Sequence, residues 1–311
     1  MTTQTATSTS DLPTQSKTSS GGIRGLFMRS ESARGFALLS PTLILLIVAM
    51  LAPIIMLVMR SFWTQTGMHI TADFSLLNYE TFFSKKIYPY VLGKSLVISG
   101  VVTVVTLLLA YPAAYFVAFK VKKNKLIWLI LITVPFWTSY LLRVFSWKLM
   151  LGYNGVINSG LGMMGIIDEP LGFLLHNVNA VVITLAHAWA AFAILPIYVS
   201  LEKIDKSLLE AAADLGEGPI RSFLRVTLPL SMPGVIAASL LVFIPTVGDY
   251  VTPKLVGGSS GIMIGNLIQN MFGRGNNWPM GSAISVVMMI TITIVVCLYL
   301  WFIHKVKNRS A

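Results

Sequence analysis

Charge is scarce in this sequence. Only 11% of its 311 residues are Asp, Glu, Lys or Arg, whereas soluble domains carry about 25%. Cysteine is nearly absent: Cys297 stands alone, which excludes an internal disulfide and any metal site built on thiolates. The four histidines, His69, His176, His187 and His304, are scattered without metal-ligand spacing. No Ser/His/Asp set and no paired carboxylates can be read, so catalysis within this chain is not expected. Gly93-Lys94-Ser95 has the ending of a phosphate-binding loop, but Tyr88 stands where its first glycine belongs. The chain is therefore expected to hold no nucleotide or other cofactor of its own.

Apolar residues fill the space that charge leaves. They make up 55% of the chain, and the mean hydropathy is +0.76. This composition points to a lipid environment and excludes disorder of the whole chain. Six uncharged runs stand out: Phe36–Met59, Ser95–Phe119, Leu126–Leu142, Asn177–Leu201, Val226–Gly248 and Gly275–Ile303. Crossing the hydrocarbon takes roughly 20 apolar residues. Five runs meet that length, and the third does so if Arg143 snorkels and the span continues to Trp147. Lipid offers backbone groups no partners, so these runs must be helical. The expected spans are about 36–59, 95–119, 126–147, 177–201, 230–251 and 280–304. Residues 1–35 are expected as a disordered tail and 305–311 as a short second tail.

Basic residues set the orientation. With the N-terminus inside, fifteen of the 23 Lys and Arg residues fall in inner segments, including Lys120, Lys122, Lys123 and Lys125 in one short loop. Positive charge concentrates on the cytoplasmic side, so both termini are expected there. The net charge of +11 is thereby read as membrane topology and not as a nucleic-acid surface. On the outer side, Ile262, Ile264, Leu267, Ile268, Met271 and Phe272 suggest a short amphipathic helix on the membrane surface. A second short turn is expected around Val156, Ile157 and Leu161. Prolines recur inside the runs, at 41, 53, 112, 135, 196 and 245, as packing kinks or as hinges.

The segment 202–231 differs from the other inner loops. Ser207 followed by Glu210 has capping-box spacing. Leu208, Ala211, Ala212 and Leu215 share one helical face, Gly216 suits a helix end, and a second short helix is expected around Ile220–Thr227. The order Glu210-Ala211-Ala212, three residues, Gly216, nine residues, Val226, one residue, Leu228-Pro229 resembles the EAA loop of ABC importer permeases, with Val226 as the one departure. The resemblance implies an all-α membrane protein of the type I ABC importer permease fold. It further implies that Glu210, Ala211, Ala212, Gly216, Leu228 and Pro229 couple the chain to a cytosolic ABC ATPase dimer. That ATPase would bind the ATP and Mg. The other implied partners are a second homologous permease, a periplasmic solute-binding protein and the bilayer of a bacterial inner membrane.

Further residues narrow the resemblance. Val134-Pro135-Phe136-Trp137-Thr138-Ser139 with Leu142-Arg143, Asn154-Gly155-Val156-Ile157-Asn158, Phe243-Ile244-Pro245 and Asn277-Trp278-Pro279 look like spermidine/putrescine importer permeases. Together with the loop they cover most of residues 36–304. The implied solute is a polyamine, with another cationic or small organic solute such as an opine as the alternative and an ion-coupled secondary transporter as a remoter one. A polycation needs carboxylates and aromatic faces in place of its lost water. Asp249 is the only acidic residue adjoining the fifth span, about 24 Å beyond Pro233 at 1.5 Å per residue. It is read as a substrate contact, as the partner of Arg143, or as an interfacial carboxylate. Trp137 and Tyr140, one turn apart on the third span, are read as packing residues or as part of the pathway. His187 is expected as a hydrogen-bonded core residue.

Overall fold

A computed structural model describes residues 31–174 and 176–310. Residues 1–30 of the expected tail lie outside them; residues 31–35 are already helical. Residues up to Met56 form one unit and those from Leu57 a second. The first long helix, α1 (Glu31–Ser61), carries the first apolar span, Leu38–Ser61. A two-stranded antiparallel hairpin follows, β1 (Thr64–Thr66) with β2 (His69–Thr71), then α2 (Leu77–Ser84). The side-chain amide of Asn78 donates to the carbonyls of Ser61 and Trp63. Those two bonds pin α2 to the end of α1 and to the residue that precedes the hairpin. Neither element has an apolar pattern long enough to be read beforehand.

The second span runs as α3 (Ile87–Tyr115) and a π turn, Phe116–Lys120. It starts eight residues before the expected Ser95. Lys94 does not end it, because its ammonium reaches out of the helix to the carbonyl of Ser260 in an exposed contact. The third span is not the continuous helix 126–147. It consists of α4 (Lys125–Thr133) with a 3-10 turn, Val134–Trp137, and then α5 (Tyr140–Leu151), and the two halves meet at 83°. Thr138 and Ser139 are extended at the break. Helix α6 (Val156–Met163) occupies the expected turn. The fourth span, α7 (Val178–Glu202), lies where it was expected, capped by the Asn177 side chain on the Ala180 amide.

The loop that follows holds α8 (Lys206–Asp214). Its second helix is not a separate element. Helix α9 (Pro219–Ser222), a π turn (Phe223–Thr227) and α10 (Leu228–Val247) form one continuous fifth span, Pro219–Val247. A proline ring inside a helix collides with the carbonyl four residues earlier. For Pro229 that residue is Arg225, which lies in the widened π turn, so the helix passes through the proline. The fifth span ends at Val247, not near residue 251, and the short α11 (Val251–Val256) follows. Helix α12 (Ile264–Phe272) is the expected amphipathic helix, but its apolar face packs on protein: Ile264, Leu267, Ile268 and Met271 join a cluster with Phe82, Tyr88, Met280 and Ile284. The sixth span begins α13 (Trp278–Ser310), which continues through the expected C-terminal tail. Among the described residues, five helices are long and apolar enough to cross a membrane, and the bent pair makes a sixth.

Spans two, four and five form the core. Val102, Ala110, Ala114, Ala193, Ile197, Leu201, Ala238 and Val242 are buried together. Small residues matter here because helices in lipid gain little from hiding apolar surface and instead need close approach. Gly234 marks the closest point. A Cβ there would lie 2.5 Å from the Pro196 carbonyl and 2.7 Å from the Ser200 Cβ, so only glycine lets spans four and five meet at this contact.

Candidate functional site

Two places gather the residues that the sequence singles out. The first is the loop around α8. Its N-cap is Asp205, whose carboxylate accepts the Ser207 amide at 3.0 Å; the expected cap at Ser207 with Glu210 is not formed. Both residues are good caps, but only Asp205 has the extended backbone that lets its side chain reach the free amides. Hydrogen bonds from Ser207, its backbone N–H foremost, hold the Asp205 carboxyl below its usual value. This contribution to the cap is present at neutral pH and fades as pH falls through that lowered value. At the other end Gly216 takes φ +80°. Its amide bonds the Ala213 carbonyl at 2.9 Å and the Glu217 amide bonds the Ala212 carbonyl at 3.0 Å, the two bonds of a Schellman ending. Glu217 then pairs with Arg225, tying the turn to the base of the fifth span.

The faces of α8 are uneven. Ala212 is buried against the bundle, but Glu210 and Ala211 are exposed, as are Leu208 and, at 85%, Leu215. Ile220 beyond the turn is 75% exposed. Leu228 is half-buried and Pro229 exposed, at the base of the fifth span. Of the face shared by Leu208, Ala211, Ala212 and Leu215, only Ala212 is turned into the chain, and the rest is exposed on a capped hairpin.

The second place lies at the opposite end of spans three to five. Asp249 is buried (9% exposed) between α10 and α11. Its carboxylate accepts the Tyr140 hydroxyl at 2.6 Å and the Val251 amide at 2.9 Å. The Tyr140 oxygen also lies 2.7 Å from the Thr252 hydroxyl. The Gly248–Asp249 backbone is held from behind: a Cβ on Gly265 would sit 2.5 Å from the Gly248 carbonyl, and Asn266 donates to the Tyr250 carbonyl. Trp189 of the fourth span stands 6.2 Å from the Tyr140 ring, and its indole N–H is buried without a partner among the described residues. One carboxylate, one phenol and an indole therefore converge where the break in the third span meets the middle of the fourth span and the end of the fifth.

Trp137 does not join them. The break at Thr138–Ser139 removes the shared face expected for Trp137 and Tyr140, and Trp137 is 78% exposed. Nor does Arg143 pair with Asp249 or snorkel outward. Its guanidinium turns back to donate to the carbonyls of Phe136 and Thr138 and to that of Ala188 on the fourth span, at 2.8–3.1 Å, and it lies 4.8 Å from the Phe136 ring centre. The carbonyls of Phe136 and Thr138 are left open by the break, so Arg143, anchored on Ala188, is what lets a span bend by 83° within lipid. His187 accepts a bond from the Trp147 indole at 3.0 Å, the hydrogen-bonded core role expected of it. Arg143→Met should leave the two carbonyls at the break, those of Phe136 and Thr138, without their side-chain donor, at about 1–3 kcal/mol for each that water does not reach. Thermal unfolding of the purified protein in detergent should fall clearly below wild type; an unchanged melting curve would show that Arg143 does not hold the bend.

Sequence reasoning missed Thr252 and Trp189 at this site, and Lys125 with Glu202 at the loop end. None has a local pattern that marks it. Lys125 and Glu202 are 77 residues apart, yet the ammonium lies 2.7 Å from both carboxylate oxygens.

Comparison with known proteins gives a consistent result. Residues 21–309 match the family described as "Binding-protein-dependent transport system inner membrane component". The chain is 37% identical over 266 residues to the spermidine/putrescine transport system permease protein PotB of Haemophilus influenzae, covering 85% of this chain and 92% of that one. It is 36% identical to PotB of Escherichia coli, covering 85% and 96%. It is also 30% identical over 315 residues to the inner membrane ABC transporter permease protein YdcU of E. coli, covering 96% and 98%. Among solved structures, a chain of a bacterial alginate ABC transporter, in complex with an alginate-bound periplasmic protein, superposes with a TM-score of 0.69 at 16% identity, covering 89% of this chain and 95% of that one. At that identity the likeness speaks for the fold alone.

Proposed function

The chain belongs to the binding-protein-dependent transport system inner membrane components and is a multi-pass ABC importer permease, and on that premise we propose that its solute is a polyamine of the spermidine/putrescine class. The observation that carries the proposal is the 37% identity to permeases named for those solutes across nearly the whole membrane region. The second place described above has fitting chemistry. A polyamine shedding water requires a carboxylate and aromatic faces, and it must be held weakly enough to leave. Asp249 supplies the carboxylate, which accepts from Tyr140, Thr252 bonds the Tyr140 oxygen in turn, and Trp189 adds a ring close by. Trp137 has no part in this site.

The loop around α8 is assigned the drive. Glu210, Ala211, Ala212 and Gly216, with Leu228 and Pro229 at the base, would seat in a cytosolic ABC ATPase dimer that binds ATP and Mg. The outward face of Leu208, Leu215 and Ile220 supports this reading, since a rigid hairpin with exposed apolar side chains suits a partner's groove. Both termini lie in the cytoplasm on this reading. A second homologous permease completes the pathway and a periplasmic binding protein delivers the solute. Nucleotide moves the pathway only if it binds the two access states with different affinity.

The test is uptake of labelled spermidine into proteoliposomes holding the complete complex with its binding protein. ATP-dependent uptake should be displaced by excess putrescine and not by an opine. Displacement by the opine alone would contradict the polyamine reading.

A further inference from the structure

The loop around α8 is joined to the bundle through its two roots, and the upstream root carries an unusual contact. Glu202 is the last residue of the fourth span. Lys125 opens the third span, and its ammonium reaches both Glu202 carboxylate oxygens at 2.7 Å. The same ammonium donates to the Ala118 carbonyl at 2.8 Å. Ala118 lies in the π turn that ends the second span, where helix-end carbonyls have no donor within their own helix. A cation at a helix C-terminus also meets the negative end of its dipole. One ammonium group thus joins three spans, and the Lys125 side chain is only 23% exposed.

What this contact holds is loosely packed otherwise. Helix α4 has no buried residue. At its far end Arg143 bonds the carbonyls beyond it and reaches across to Ala188 of the fourth span. The inner half of the third span is therefore tied to the fourth span at both ends by a basic side chain, and between them Ile132, partly buried against the core, and Trp128 against the Phe116 ring supply apolar contacts. Ile204, two residues after Glu202, is buried, so a shift of α8 meets the bundle directly beside that carboxylate.

We propose that the Lys125–Glu202 pair is a strut that carries movement of the loop into the inner half of the third span, making these residues determinants of coupling between ATP turnover and solute passage. The inference rests on the importer reading above. A brace that only stabilised the fold would lower hydrolysis and transport together. A strut predicts that hydrolysis continues while solute moved per ATP falls.

The experiment compares wild type, Lys125→Met, Glu202→Gln, the double variant and Lys125→Arg. Each is reconstituted as the complete complex with its binding protein, and uptake and hydrolysis are measured in the same vesicles. The single variants should move roughly fivefold to tenfold less solute per ATP. The double variant should be no worse than Lys125→Met alone, and Lys125→Arg, which keeps a cation within reach of Glu202 and Ala118, should retain most of the coupling. Unchanged solute per ATP in both single variants overturns the strut, as does an equal fall of hydrolysis and uptake in both. Should Lys125→Met fail to reach the membrane, Glu202→Gln, which leaves the bond from Lys125 to Ala118 in place, decides by the same ratio against wild type. Absence of ATP-driven uptake by the wild-type complex would instead overturn the importer reading, so the two failures are distinct.

Discussion

Glu210→Lys is expected to abolish transport while leaving the protein in the membrane at its normal level. Glu210 is exposed on α8 and makes no ion pair among the described residues, so the fold loses nothing when its charge is reversed. The contact it would lose lies with the ATPase. Disrupting one member of a buried charge pair at an interface costs about 2–5 kcal/mol, or roughly thirtyfold to several-thousandfold in affinity. Reversal adds repulsion. The measurement is co-purification of the ATPase with the tagged permease from solubilised membranes, beside immunoblotting of total permease. The ATPase should be missing from the Glu210→Lys sample. Recovery of ATPase and uptake at wild-type levels would remove the loop from the drive.

Asp249→Asn carries the second large effect. Asparagine keeps the shape of the side chain and can still accept the Val251 amide, so the turn between α10 and α11 survives. The negative charge does not. A hydrogen bond to a charged group contributes about 1.5–3 kcal/mol, and uptake at limiting polyamine should fall roughly tenfold to a hundredfold. Tyr140→Phe leaves the charge in place and removes one donor to it, so uptake should fall less than in Asp249→Asn. Initial rates against polyamine concentration, with hydrolysis followed in parallel, separate weaker recognition from failed assembly. Wild-type uptake by Asp249→Asn across the concentration range would exclude the carboxylate as a solute contact.

The parts of this molecule that lipid or local register dictates could be read from the chain. An uncharged run of that length must be helical in hydrocarbon, and the fourth span ends within one residue of its expected limits. The loop was legible because Glu210, Gly216 and Pro229 keep fixed distances along the chain. The break in the third span was not. Pro41, Pro53, Pro112, Pro196, Pro233 and Pro245 all lie inside unbroken helices, so Pro135 gave no distinguishing sign. What stabilises the bend is Arg143 reaching Ala188, 45 residues away. The pairing of Tyr140 with Asp249 spans 109 residues, and that of Lys125 with Glu202 spans 77; neither distance leaves a local trace. Asp205 and Ser207 are both competent caps, and only backbone conformation chooses between them.

The proposal that the α8 hairpin meets a cytosolic motor can be tested directly. Leu215→Cys places a thiol at a position 85% exposed, in a chain whose own Cys297 is replaced by serine. A membrane-impermeant maleimide is applied to intact spheroplasts and to inside-out vesicles, with and without the bound ATPase. The account predicts labelling only in inside-out vesicles and protection when the ATPase is present. Labelling of intact spheroplasts, or labelling in inside-out vesicles that the ATPase does not alter, would contradict it.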